Sequence, residues 1–300
     1  MFSSNGDLAA VEVAFFSVTL LSSIYVLIRH GFNRQQGWLY IAILSILRII
    51  GSSATLYMQT TGSFTTSAIE TAGICSSVGT APLLLALMGF LSRIHTNMDR
   101  NGISMMIFRP LQLTSLAALI IAIIGGTDTN SAGIRTGTGS ALIEAASVMF
   151  LGLYVALAAI TAYACFNFRH IAETERYLFG ACIAALPCLL VRVIFTVFVA
   201  FAKPGSAFYW LNVNIYITAF MQFLMEALVC IFYLIAGYLT PQMEKPRMAG
   251  EARASEEGML DERKHTHRSQ QSQRPRFQRP ERLGDYRPSR IIMNALSDRR

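Results

Sequence analysis

Apolar residues fall into seven long runs along this chain, at about 8–28, 38–58, 69–91, 110–126, 140–166, 178–201 and 213–239. Most reach the roughly 20 residues that a helix needs to cross a hydrocarbon core about 30 Å thick. The fourth is short at its apolar centre. None carries the polar stripe of a helix at the surface of a soluble protein. In lipid the backbone must satisfy its own hydrogen bonds, so the pattern predicts an all-α, polytopic bundle of seven transmembrane helices over 1–240. Pro241 stops the last run, because proline lacks the N–H that would continue the helix. From there to residue 300, Arg, Gln, Ser, Pro and Glu dominate, as in QSQRPRFQRPERLGDYRPSR. Such a composition cannot bury enough apolar surface to fold, and a disordered tail is expected.

Composition sharpens this division. Hydrophobic residues make up 53% of the chain and charged residues 14%, against about 25% charged in a soluble domain. Residues 1–239 hold 11 Lys/Arg and 9 Asp/Glu, a net of +2, whereas 240–300 hold 14 and 9, a net of +5. Short loops at one set of span ends carry Arg29, Arg34, Arg93, Arg100, Arg109, Arg169 and Arg176, and the opposite ends only Arg135 and Lys203. The positive-inside rule then puts the N-terminus outside and the C-terminus, with its basic tail, in the cytosol. The first run follows Asp7 with no basic residue before it, a poor signal peptide, and is expected to remain as a span. Cys75, Cys165, Cys182, Cys188 and Cys230 lie in or beside spans, with no metal or disulfide spacing, and read as packing residues. No metal or cofactor site is readable. The partners implied are the bilayer and a lipid-soluble substrate; the basic tail reads first as a solvated segment with a trafficking role, with contact to anionic lipid of the cytoplasmic leaflet as the alternative and no role in nucleic-acid binding.

An internal echo runs through the spans. Leu47-Arg48-Ile49-Ile50 precedes Gly62-Ser63, and Val191-Arg192-Val193-Ile194 precedes Gly205-Ser206. Spans 1 and 5 each carry a glutamate near the outer end, Glu12 and Glu144. A 3+1+3 parallel repeat about span 4 accounts for both features, and repeats of this kind are familiar in membrane proteins.

The candidate chemistry sits on the charges inside the bilayer. Each costs ~2.5–3.5 kcal/mol on insertion scales, so it faces the bundle interior and takes a partner. They are Glu12, Arg48, Glu70, Glu144, Arg192 and Glu226. At about 1.5 Å per residue, Arg48 and Glu226 lie near mid-membrane and the others in the outer half, so all could converge on one outward-leaning cavity. Gln222 lies one turn before Glu226, Ser45 and Ser52 flank Arg48, and Thr196 follows Arg192 by one turn. Four glutamates meet two arginines, which leaves carboxyls without a cationic partner, and desolvation favours their neutral form. Glu226, the deepest, is the expected general acid, with Glu144 and Glu12 as further candidates, Glu144 being the expected partner of Arg192. Arg48 and Arg192 would hold carboxylates, and Gln222 and Glu70 would contact substrate. Ion pairs that only fix helix register are the competing reading. His30, His95 and His170 stand at cytosolic span ends, where a ring at the lipid interface is the simple expectation. Trp38 and Trp210 open spans as interfacial anchors. Phe and Tyr rings on the cavity wall could steady a carbocation.

A heptahelical receptor is a natural comparison. Span 3, however, ends in Leu91-Ser92-Arg93, and span 7 has neither an Asn-Pro-x-x-Tyr motif nor a lysine for retinal. An aspartate-rich diphosphate motif is absent as well. The stretches Ile28-Arg29-His30-Gly31-Phe32, Gly37-Trp38, Leu47-Arg48-Ile49-Ile50-Gly51 and Ser77-Val78-Gly79-Thr80-Ala81-Pro82-Leu83-Leu84-Leu85 through Leu91-Ser92-Arg93 resemble a fungal family of seven-helix integral membrane proteins. The resemblance covers 1–240 and is strongest in the first hundred residues. In size and layout the chain is also similar to the membrane-bound terpene cyclases of ascofuranone- and macrophorin-type meroterpenoid pathways. That similarity implies a metal-independent, proton-initiated cyclase of fungal secondary metabolism, acting on a prenylated or epoxidised isoprenoid in an endomembrane such as the endoplasmic reticulum. No established catalytic motif of those enzymes maps onto this chain, so the site residues rest on the charge argument. A transporter or lipid exporter using the same Glu/Arg set as a proton relay, or a heptahelical sensor, is the alternative.

Overall fold

The structure is a computed structural model, and it describes residues 4–30, 36–62, 65–96, 98, 105–129, 136–203, 205–206, 208–209 and 213–240. The tail from 241, Arg34, Arg100, Arg135 and Trp210 lie outside the described residues, as does the side chain of His30. Helices account for nearly all of the rest: α1 Ser4–His30, α2 Gln36–Thr61, α3 Thr66–Val78, α4 Thr80–Thr96, α5 Met105–Thr127, α6 Gly137–Phe166 and α7 Arg176–Phe201. The short α8, Ile215–Ile217, then runs through a π-helical stretch, Thr218–Leu224, into α9, Met225–Leu239. With α3 and α4 forming one span and α8 to α9 another, seven helical segments are long and apolar enough to cross a membrane. The predicted all-α, seven-span architecture is the one observed. The fourth span, short by its apolar centre, is helical over Met106–Thr127.

The other spans form a ring around α4, with α3 filling the place between α2 and α5. Helix α1 packs on α2, α5 on α6, α6 on α7, and α7 on α9, which returns to α1. Helix α4 touches α2, α5, α6 and α7. A helix in that central place needs no lipid-facing side, and every residue from Thr80 to Met88 is buried. Val18, Leu21, Leu113 and Val155 point outward from the ring instead, as side chains solvated by lipid can.

Two local features shape the centre. The third span breaks at Gly79 because Pro82, in the first turn of α4, has no N–H to offer the carbonyl of Val78. The π-helical stretch widens the seventh span one turn before Glu226. Extra-wide turns of this kind gather at functional sites. The echo has a backbone counterpart too: Gly62 and Gly205, which follow α2 and α7, both have positive φ, 65° and 93°. Glycine occupies that region without the Cβ clash other residues meet.

Each end of the bundle is tied by polar contacts. At the end bearing the N-terminus, Asp128 Oδ2 accepts from the hydroxyls of Thr136 and Thr138, each at 2.5 Å. Thr136 Oγ1 in turn caps α6 by accepting from the Gly139 N–H at 3.0 Å. At the other end, Arg93 donates to Glu175 Oε1 through Nε and Nη2, at 2.9 and 2.8 Å. The Arg93 guanidinium lies 5.6 Å from the Trp38 ring centre. Trp38 is fully buried and donates to the Tyr233 carbonyl, so it is a core residue and not an interfacial anchor. His95 also departs from expectation. It is 2% exposed, bonded to the Ile160 backbone and set between Phe108 and Tyr163. His170, by contrast, is exposed as expected.

Candidate functional site

A cavity of about 380 Å³ opens among α1, α2, α3 and the start of the seventh span, in the half of the bundle nearer the N-terminus. That volume suits a small organic ligand. Its wall is largely apolar and small, with Leu8, Ala9, Ile69 and Ala72 among the lining residues. Polar groups enter from three helices: Glu12 from α1, Arg48 and Ser52 from α2, and Ser76 from α3, joined by Gln222 from the π-helical stretch. The spacing of Arg48 and Ser52, one helical turn apart, puts both on the same face of α2. No aromatic ring stands on this wall among the described residues, contrary to the expected ring-lined cavity.

Behind the wall lies an ion cluster. Glu226 is fully buried and accepts on Oε1 from Arg48 Nη2 and from Arg192 Nε, the latter at 2.6 Å. Charge-assisted bonds of this kind are roughly twice as strong as neutral ones. Arg192 spends its other donors on Thr196 Oγ1 at 2.8 Å and on the Ser76 carbonyl at 2.9 Å. Thr196 also contacts the Thr80 hydroxyl at 2.9 Å. The break in the third span brings its backbone within reach of Arg192 and makes room for Arg48. A Cβ added to Gly79 would stand 2.9 Å from Arg48 Nη2. Two polar atoms of the cluster have no partner among the described residues, Arg48 Nε and Glu226 Oε2.

Glu12 is placed differently. It is 8% exposed, lies on the cavity wall, and accepts from the Ser52 hydroxyl. Its carboxyl forms no ion pair with either arginine among the described residues, although the charge of Arg48 acts on it from across the wall. Gln222 accepts from Ser76 Oγ at 3.0 Å, which joins the seventh span to the third across the cavity.

The residues singled out in sequence therefore divide into three groups. Glu12, Arg48 and Gln222 line the cavity, and Glu226 and Arg192 form the support behind it. The other two lie elsewhere. Glu70 accepts from Thr129 Oγ1 at 2.5 Å and links the start of α3 to the connection after α5. Glu144 is half-buried on α6 and is not the partner of Arg192, which goes to Glu226 instead. The unpartnered deep acid expected at Glu226 is likewise absent, since both arginines converge on it. Gly79 was not read as a site residue, and its only sequence signal is a glycine three residues before a proline inside a span. No curated protein matches the chain. Residues 2–243, which take in every element of the cavity and its ion cluster, match the family described as Domain of unknown function (DUF7702), and the chain belongs to that family.

Proposed function

We propose that this membrane protein is a proton-initiated cyclase of an isoprenoid chain, with Glu12 as the proton donor. One observation carries the reading: a carboxyl on the wall of a mostly apolar cavity, bonded to a hydroxyl and free of direct ion pairing. The Glu12 carboxyl is open to the cavity, whereas that of Glu226 is occupied by two guanidiniums. Glu226 moves accordingly from acid to anchor. It holds Arg48 and Arg192 and so fixes the wall against which the substrate lies.

The chemistry balances without a co-reactant. The Glu12 O–H gives its proton to an epoxide oxygen or a terminal alkene. The resulting carbocation closes rings as successive double bonds attack it. Loss of a carbon-bound proton ends the cascade, and that proton returns to the Glu12 carboxylate. Product and substrate are isomers. Dipoles of Ser52, Ser76 and Gln222, with the sulfur of Met58, would face the cation in place of aromatic rings.

The test is incubation of the protein in lipid nanodiscs with prenylated phenols, with and without a terminal epoxide. The expected result is a product of unchanged mass and new retention, with Glu12→Gln lowering turnover ~10²–10⁴-fold. With no ring on the wall among the described residues, a second reading is a proton-coupled carrier of a lipid-soluble molecule, in which Glu12 exchanges a proton with each transport cycle. Proton-dependent uptake into proteoliposomes with no isomerised product would select it.

A further inference from the structure

A second, smaller cavity of about 190 Å³ lies between α2, α4 and α5. It runs along one face of α2, from Leu47 past Ile43 to Tyr40, residues three and four apart and therefore in line. Its opposite wall is Leu116 and Leu119 of α5. Ile43 is 39% exposed and Leu116 48%, so the crevice opens on the outside of the ring, where lipid would be. Leu47 also lines the Glu12 cavity. One side chain thus stands on the walls of both spaces.

The far end of the crevice is polar. Gln112, exposed on α5, donates to the Tyr40 hydroxyl at 3.4 Å. An amide on a lipid-facing surface is costly, and among the described residues this one is compensated by a long, weak bond. The order along the groove is therefore a hydrogen-bonding pair, an apolar trough, Leu47, and the Glu12 cavity.

We infer that the crevice is a lateral port for an amphiphile, with its isoprenoid chain lying in the trough and passing Leu47 into the Glu12 cavity while its phenol-like head stays at Tyr40 and Gln112. This rests on the reading of the Glu12 cavity as a ligand site, and it holds whether or not the ligand is converted. The arrangement delivers the chain terminus first, to the carboxyl.

The experiment is photo-labelling of the full chain in nanodiscs with a farnesylated phenol that carries a diazirine near its chain terminus, followed by peptide mapping. In the unaltered protein, label is expected on peptides holding Leu116 and Leu119 and on those holding Glu12. In Leu47→Trp, label on α5 should persist while label at Glu12 falls about tenfold, the effect of a 1.4 kcal/mol obstruction. Leu119→Trp narrows the trough from the other wall and should lower both, which keeps the proposal testable if Leu47→Trp fails to accumulate. Unchanged Glu12 labelling in both variants would show entry through the open mouth and overturn the port. Equal crevice labelling by a diazirine-bearing phosphatidylcholine would also overturn it, because the trough would then hold bulk lipid. Neither readout needs turnover, so failure of the cyclase chemistry stays separate from failure of the port.

Discussion

Glu226 Oε1 receives two guanidiniums while Oε2 receives none among the described residues, and that asymmetry decides what each acid can do. Glu226→Gln would strip two buried cations of their counter-charge. A loss of ~3–5 kcal/mol is expected, seen as a lower unfolding midpoint and lower abundance in the membrane. Glu12→Gln keeps the Ser52 contact, should accumulate normally, and should lose turnover. Comparing abundance with activity on both variants separates anchor from acid. Gly79→Ala brings a methyl to within 2.9 Å of Arg48 Nη2, whose guanidinium is pinned by Glu226 and cannot swing away freely. Overpacking of this sort costs ~1–3 kcal/mol, measurable as a fall in thermal midpoint in nanodiscs. Arg48, Arg192 and Glu226 were legible in the sequence because a charge in an apolar run has few explanations. Which charges meet was not legible. Pairing depends on how each helix is turned about its axis, and hydropathy says little about that in runs apolar on every side. For the same reason Glu144 read as a partner of Arg192 and is not one.

Among the elements, the third span shows how far pattern reaches. Its length and apolar content were plain, and Pro82 marked a weak point, but nothing local says that the span sits in the middle of the ring. The burial of α4 from Thr80 to Met88 comes from neighbours distant in sequence. His95 and Arg93 illustrate the same limit, since a polar residue at a span end can face headgroups or the bundle, and here both turn inward. Removing the charge in Glu175→Gln should strand Arg93 and destabilise the protein by ~3–5 kcal/mol, read by chemical unfolding in detergent. The junction between α5 and α6 predicts a pH response. The Thr136 and Thr138 hydroxyls hold the Asp128 carboxyl below its usual value. Because the folded value is depressed, the stabilisation is complete above the ordinary carboxylate value, about 3.9, and is lost as pH falls through the depressed one. Amide protection at Gly139, corrected for intrinsic exchange, should drop over that acid window, and Asp128→Asn should flatten the response.

At the scale of the whole molecule, an odd number of spans is expected to leave the two ends of the chain on opposite membrane faces. Tags at the N- and C-termini should be protected from protease on different sides, with the C-terminal tag accessible in the cytosol if the loop arginines set the orientation. The family match ends at residue 243. A chain cut after residue 245 is therefore expected to reach the membrane with the fold and turnover of the full chain, checked by gel filtration and activity together. The shared carboxylate has a further consequence, for synthesis. Glu226 belongs to the seventh span, which is made after the second and the sixth, the spans of Arg48 and Arg192. Until the seventh helix arrives, both cations sit in hydrocarbon or in the insertion machinery without the anion that neutralises them. The seventh helix is thus a late counter-ion as well as a wall.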